Sequence, residues 1–268
     1  MATFDGKHLK GLVGNLVVRK GKNKQIVQTV PASVKQTIAT KKASGVFGKG
    51  SKLAGAIRQN LDIIINKNYD PEMINRFNAP VTTVLRQCYN AETEKFDFRE
   101  DSFERLAGFE FNSKSLVINS LWVKPEMRFS ANTLTILIPE IKIPGQLKFP
   151  ARANVCELGI TLSQIALKEG LQNSPQFLKV ELHKEQEVIP AHEFTFEVQD
   201  GIFCVAGIGL NYYSLQNNIK TELNSKTFNP AAIIGAIITP GTFTDPGPVR
   251  TATGGRASDW TEVFKLNG

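Results

Sequence analysis

Three places in this 268-residue sequence hold residue types that could do chemistry. The first is the glycine-rich stretch Gly45-Val-Phe-Gly-Lys-Gly-Ser-Lys52. Glycines there would let backbone N–H groups cradle a phosphate while a lysine reached its oxygens. Gly45 and Gly50 have the separation of such a loop, but Ser51-Lys52 stands where Lys-Ser/Thr is needed, and no apolar strand leads in. The stretch reads as a basic bend between helices. The second place is His183 and His192, two of only three histidines, with Glu181, Glu185 and Glu193 nearby. They are the best candidates for a metal or a general base. Their spacing matches no ligand pattern, so they read as solvated residues of edge strands. A β-sandwich enzyme or carbohydrate binder would need a pocket around this pair. The third is Cys88, Cys156 and Cys204, an odd number at wide spacings. They form neither a disulfide framework nor a zinc pattern and read as packed, reduced thiols. There is no Gly-x-Ser-x-Gly elbow, and Gly207-x-Gly209 lacks the third glycine of a dinucleotide fingerprint. No catalytic residue, cofactor or metal is therefore expected.

The charge distribution is more informative. The formal net charge of +7 conceals a division: residues 1–60 hold twelve lysines and arginines against the single acid Asp5, a net +11, which leaves −4 on the remainder. Arg19, Lys20, Lys22, Lys24, Lys41, Lys42, Lys49 and Lys52 are the candidate contacts to a partner or to phosphate. Such residues would neutralise a nucleic-acid backbone without reading its sequence. Base stacking needs aromatic side chains, and this segment has only Phe4 and Phe47. The same charges equally suit the acidic body of a second copy.

Periodicity supplies the elements that would position these groups. The runs Gly11–Arg19 and Gln25–Val30 flank a Lys/Gly/Asn turn and read as a hairpin, which needs further strands to be stable in water. From Ser33 to about Ile65 the spacing is helical, and its glycines predict two helices joined near Gly48–Gly50. Further helices are expected from Asp70-Pro71-Glu72 and from Ala79-Pro80 to Tyr89, then a polar linker over 91–106. Strand patterns follow at Ser115–Val123, Thr133–Ile138, Gln146–Phe149, Asn154–Leu167, Phe177–His183, Glu193–Val198, Ile202–Leu210 and Ala231–Ile238. Asp200-Gly201 is the clearest hairpin turn. The fold class is thus mainly β (α+β). A basic hairpin and helical segment (1–108) leads to an antiparallel β-sandwich or jelly-roll-like body (109–238) and an extended Pro/Gly-rich tail (239–268). Trp260 and Phe264 look like anchors of that tail, because large apolar groups in a free tail would stay exposed.

The pattern Gly11-x-x-Gly14-Asn15-x-Val17-x-Arg19, the Lys/Gly turn, a second strand ending in Pro31, the basic helical segment and strands closing in Leu210-Asn-Tyr-Tyr-Ser214 together resemble a family of uncharacterised Bacteroidota proteins. That family has no established activity, so the resemblance implies no catalytic residues. The layout of a basic arm before a β-sandwich is also similar to that of many icosahedral viral coat proteins. The expectation is a non-catalytic structural protein that self-assembles as a homo-oligomer, through its arm and tail, into a larger particle. The alternative is a protein binding nucleic acid non-specifically through residues 1–60. With no apolar leader and no stretch long enough to cross a bilayer, the expected location is the cytoplasm or a particle assembled there.

Overall fold

The computed structural model describes residues 2–21, 24–30, 37–247, 249–250, 256–257, 259–263 and 266. Its contacts divide the chain into two units, Met1–Ser44 and Gly45–Gly268.

In the first unit four strands, β1 (Thr3–Phe4), β2 (Leu9–Val13), β3 (Leu16–Lys20) and β4 (Gln25–Thr29), form an antiparallel meander in chain order. The run Gly11–Arg19, expected as one strand, is two. Gly14 and Asn15 make a two-residue turn between the paired Val13 and Leu16, and the positive φ of Gly14 (55°) is what such a turn asks of its first residue. The Val30 N–H then donates to the Asn15 carbonyl at 2.7 Å, tying the end of β4 to this turn. The further strands that the hairpin needed are thus its own.

Helix α1 (Ile38–Asn60) leads into the second unit and continues almost directly into α2 (Asp62–Ile65). Asn66 ends this path in the left-handed region (φ 49°), its N–H bonded to the Asp62 carbonyl. The two helices expected on either side of Gly48–Gly50 are one. Val46, Leu53, Ala54, Ile57, Leu61 and Ile64 keep helical spacing and are all buried, which outweighs about 1 kcal/mol per interior glycine. Gly50 is itself required, since a Cβ there would lie 2.6 Å from Thr82 Oγ1 of α3 (Met73–Cys88). Helix α3 also replaces two expected helices, running through Pro80 with Phe77, Val81, Val84 and Leu85 buried. Packing of that stripe offsets the donor that proline lacks.

Residues 91–106, expected as a linker, belong to the core. Strands β5 (Tyr89–Asn90) and β6 (Lys95–Phe96) pair, a 3-10 turn follows at Glu104–Leu106, and Phe96, Phe103 and Leu106 are buried. Ser115–Val123 is not a strand but a 3-10 turn over Val117–Asn119, where both carboxylate oxygens of Glu110 accept the Val117 N–H, at 3.0 and 2.9 Å. Gln146–Phe149 contributes only the bridge between Leu147 and Leu121.

The remaining strands are β7 (Glu126–Ser130), β8 (Thr133–Ile138), β9 (Ile141–Lys142), β10 (Val155–Ala166), β11 (Leu171–Asn173), β12 (Gln176–His183) and β13 (Val188–Ile189). They continue with β14 (His192–Glu197), β15 (Phe203–Gln216), β16 (Ile219–Glu222), β17 (Ala231–Ile238), β18 (Val249–Arg250), β19 (Arg256–Ala257) and β20 (Trp260–Glu262). The chain is therefore mainly β, with antiparallel sheets, and its largest sheet curls into a half-barrel. In that seven-stranded sheet β10 pairs with β15 along one side and with β12 and β11 along the other, while β16 and β17 flank β15 and β20 pairs with β11. Strands β7, β8 and β14 make a separate three-stranded sheet.

Strand β10 is buried along its whole length because both faces are covered. Its Cys156, Leu158, Ile160 and Leu162 share one core with Leu134, Ile136, Phe194 and Phe196 of the three-stranded sheet. Its Ile165 shares the other with Leu53, Ile57, Leu61 and Ile64 of the helices. Gly207 and Gly209 of β15 are where the helical path seats: a Cβ would fall 2.6 Å from Ile64 Cδ1 and 2.7 Å from Ile64 Cβ, respectively.

Asp200-Gly201 does not close a hairpin. Strand β14 pairs with β8 and β15 with β10, so the segment between them carries the chain from one sheet to the other. Gly201 has the positive φ of a turn (66°), but its N–H bonds the Pro240 carbonyl. Eleven residue pairs between β15 and β10 decide the partner over local turn chemistry.

Candidate functional site

The first unit places its side chains on two unlike faces. The pairings Phe4–Leu9, Val13–Leu16 and Val18–Val27 put these six apolar residues on one face, together with Thr29 and the Lys20–Gln25 pair near its ends. Val18 is buried at its centre, whereas Phe4, Val13, Leu16 and Val27 are 68%, 43%, 40% and 56% exposed. The other face mixes Lys10, Leu12, Val17, Arg19, Ile26 and Gln28, with Arg19 Nη2 donating to Gln28 Oε1 at 3.2 Å. A sheet that needs a covered face has one rich in apolar groups and still exposed. The two edges of the sheet are the two-residue β1 and the five-residue β4. Reading Gly11–Arg19 as a single strand hid these faces, because the turn reverses direction and re-pairs every following residue. The signal was Gly14-Asn15 set between apolar pairs.

Of the eight basic candidates, Arg19, Lys20, Lys24, Lys41 and Lys52 are exposed. Lys49 is engaged: its ammonium donates to the Leu266 carbonyl and lies 5.5 Å from the centre of the Phe96 ring. Lys22 and the side chain of Lys42 lie outside the described residues, as does Phe264. Trp260 is buried in the first core against Phe243, ring centres 4.7 Å apart, and its strand β20 pairs with β11.

No group of three or more histidine, cysteine or acidic side chains suited to a metal occurs among the described residues. His183 Nε2 lies 3.1 Å from Glu181 Oε1, whereas His192, at the start of β14, packs on Phe194. Neither histidine lines the cavities bounded by Asn132 and Gln164, by Phe98 and Gly201, or by Arg58 and Tyr69. All three cysteines are unpaired, and Cys156 and Cys204 are buried. Burial pushes the Cys156 thiol up, and that of Cys204 up to about 12, so neither supplies a thiolate.

Among the described residues of the body, ion pairs gather across β10, β12, β15 and β16. Glu157 Oε1 accepts hydrogen bonds from Lys179 Nζ (3.0 Å) and from Lys220 Nζ, Tyr213 reaches Oε2 at 3.4 Å, and Lys220 also bonds Glu181 at 2.8 Å. Burial alone would raise the Glu157 carboxyl, but the two lysines outweigh it and hold the group below its ordinary range. Such a group stabilises the fold above its unfolded pKa, and that contribution is lost as pH falls through the lower folded value. Glu157→Gln is expected to cost about 1–2 kcal/mol at neutral pH. The gap from wild type should close below about pH 4, which denaturant titration across pH would show. The cluster is an internally neutralised tie between strands. The alternation Lys179, Glu181 is visible in the sequence, but the bridging Lys220 is distant and comes only from the pairing of β16.

No protein-family model, curated protein or solved structure matches the chain. The fold and the site define a mainly β protein carrying a small basic sheet with one exposed apolar face. Among the described residues no helix is long and apolar enough to cross a membrane.

Proposed function

We propose that this is a non-catalytic structural protein whose copies assemble through the N-terminal sheet, as a homo-oligomer or a larger coat-like particle. The observation that carries this reading is the apolar face of Phe4, Val13, Leu16 and Val27. Its size is on the order of a few hundred Å², the range in which exposed patches mark interaction sites. Burying it against a second copy removes twice that area, on the order of 10 kcal/mol at about 25 cal/mol per Å². Association costs about 4–15 kcal/mol in lost freedom. What is left over is a few kcal/mol, so assembly should be weak and should follow concentration. In this reading the three-stranded and seven-stranded sheets serve as the layers of a jelly-roll-like body, and the contacts come from the arm. Within the tail, Trp260 and Leu266 are held in the chain's own cores.

A second reading draws on the exposed Lys7, Lys10, Arg19, Lys20 and Lys24, set against Asp5 alone. These would bind nucleic-acid phosphates without sequence preference. Sedimentation of the full-length chain, with and without an oligonucleotide, at about 0.05 M and 0.5 M salt separates the two. Assembly that grows with concentration and survives the higher salt supports the first. Association that requires the oligonucleotide and vanishes in high salt supports the second, and a monomer under all conditions contradicts both.

A further inference from the structure

We propose that the cavity of about 420 Å³, where the turn between β7 and β8 meets the ends of β10, β11, β12 and β14, binds a neutral polyhydroxylated ligand of the saccharide class. Five amide residues, Asn132, Gln164, Asn173, Gln176 and Gln199, line it with Thr133. Gln164 is only 2% exposed and sits in the row of β10 that otherwise packs Leu162 and Ala166 into the first core. A buried amide there is costly unless bonded. Its Nε2 donates to the Glu197 carbonyl at 3.2 Å, and Gln176 Nε2 donates to the same oxygen at 3.3 Å, so one backbone carbonyl fixes two amides at the cavity wall. The turn is set as well: Ala131 and Asn132 both have positive φ (44° and 63°), and the Asn132 carbonyl accepts the Val198 N–H at 2.9 Å. The side chains of Asn132, Asn173 and Gln199 make no hydrogen bond with other described residues, leaving donors and acceptors for a ligand.

The lining also sets the ligand class. It contains no lysine, arginine or histidine to hold a phosphate or carboxylate, and Glu197 would repel either. One carboxylate is too few for a hard cation. No aromatic ring is present for a nucleobase to stack on, and the only apolar residues are Ala131 and Val198, too few for a lipid. Each amide offers an adjacent donor and acceptor, the pattern that neighbouring hydroxyls of a sugar ring complement. The volume suits one or two such rings.

The test is isothermal titration and ligand-observed NMR on the full-length chain with glucose, galactose, mannose, N-acetylglucosamine and their disaccharides. At least one should bind saturably. Asn173→Ala with Gln199→Ala should weaken it by about 10-fold or more while leaving thermal unfolding unchanged. Glucose 6-phosphate should bind at least about 10-fold more weakly than the neutral sugar. The proposal is overturned if no sugar binds, if the variants bind as wild type does, or if the phosphorylated sugar binds equally well. Because these residues belong to the body, the result is independent of whether the N-terminal sheet assembles.

Discussion

With glutamate at both Leu16 and Val27, the full-length chain is expected to stay monomeric at concentrations where the wild type assembles, a loss of about 100-fold or more in association. Both positions lie on the apolar face of the N-terminal sheet and are substantially exposed, so the unassembled chain should keep its unfolding midpoint to within about 0.5 kcal/mol. In the assembled state each carboxylate would be stripped of water against an apolar partner, which explains the size of the effect. Lysine at the same two positions separates this contact from one built on charge. An apolar interface rejects either sign, so Leu16→Lys with Val27→Lys should also give monomers. An arm that bound the acidic body of a neighbour, or nucleic acid, would be strengthened by added lysines. Sedimentation velocity on the three proteins reads all of this directly.

Replacing Gly209 with alanine is expected to destabilise the body by about 2–3 kcal/mol, and valine by more. The new Cβ would lie 2.7 Å from Ile64 Cβ, 3.0 Å from its Cγ2 and 3.3 Å from its Cα, so the obstacle includes helical backbone that cannot rotate away. The helical path would have to lift from β15, loosening the core that Leu61 and Ile64 share with Phe203 and Val205. Gly45 and Gly48 of α1 provide the contrast, since a Cβ at either meets nothing within 4 Å. Alanine there should raise stability by about 0.5–1 kcal/mol through helix propensity alone. Urea unfolding with an unchanged m-value would report both effects, and equal responses at the two kinds of glycine would refute this packing.

These glycines show what the sequence can and cannot display. Gly207-x-Gly209 looked like a fragment of a nucleotide fingerprint and is instead the seat of a helix. Nothing local distinguishes the two, because the partner, Ile64, is far away in sequence. The alternation of β8, β12 and β14 and the apolar run of β10 were legible, since period-two patterning and full burial leave direct marks. Asp200-Gly201 carried correct turn chemistry and the wrong conclusion, because long-range pairing of β14 with β8 and of β15 with β10 overrode it. Breaks assigned at Gly48–Gly50 and Pro80 failed for the same reason: a buried stripe held each helix through its weak point. The charge of the N-terminal segment was plain, but its apolar face depended on one unread turn at Gly14-Asn15. The amide cavity left no trace, because its five amides come from separate strands and turns that only the folded sheets bring together.

Hydrogen–deuterium exchange of the full-length chain at low and high protein concentration tests the assembly reading most directly. Peptides covering residues 3–30 should gain protection as concentration rises, while the strands of the body stay unchanged. Assembly that protects the body and leaves residues 3–30 exchanging as in the monomer would contradict it.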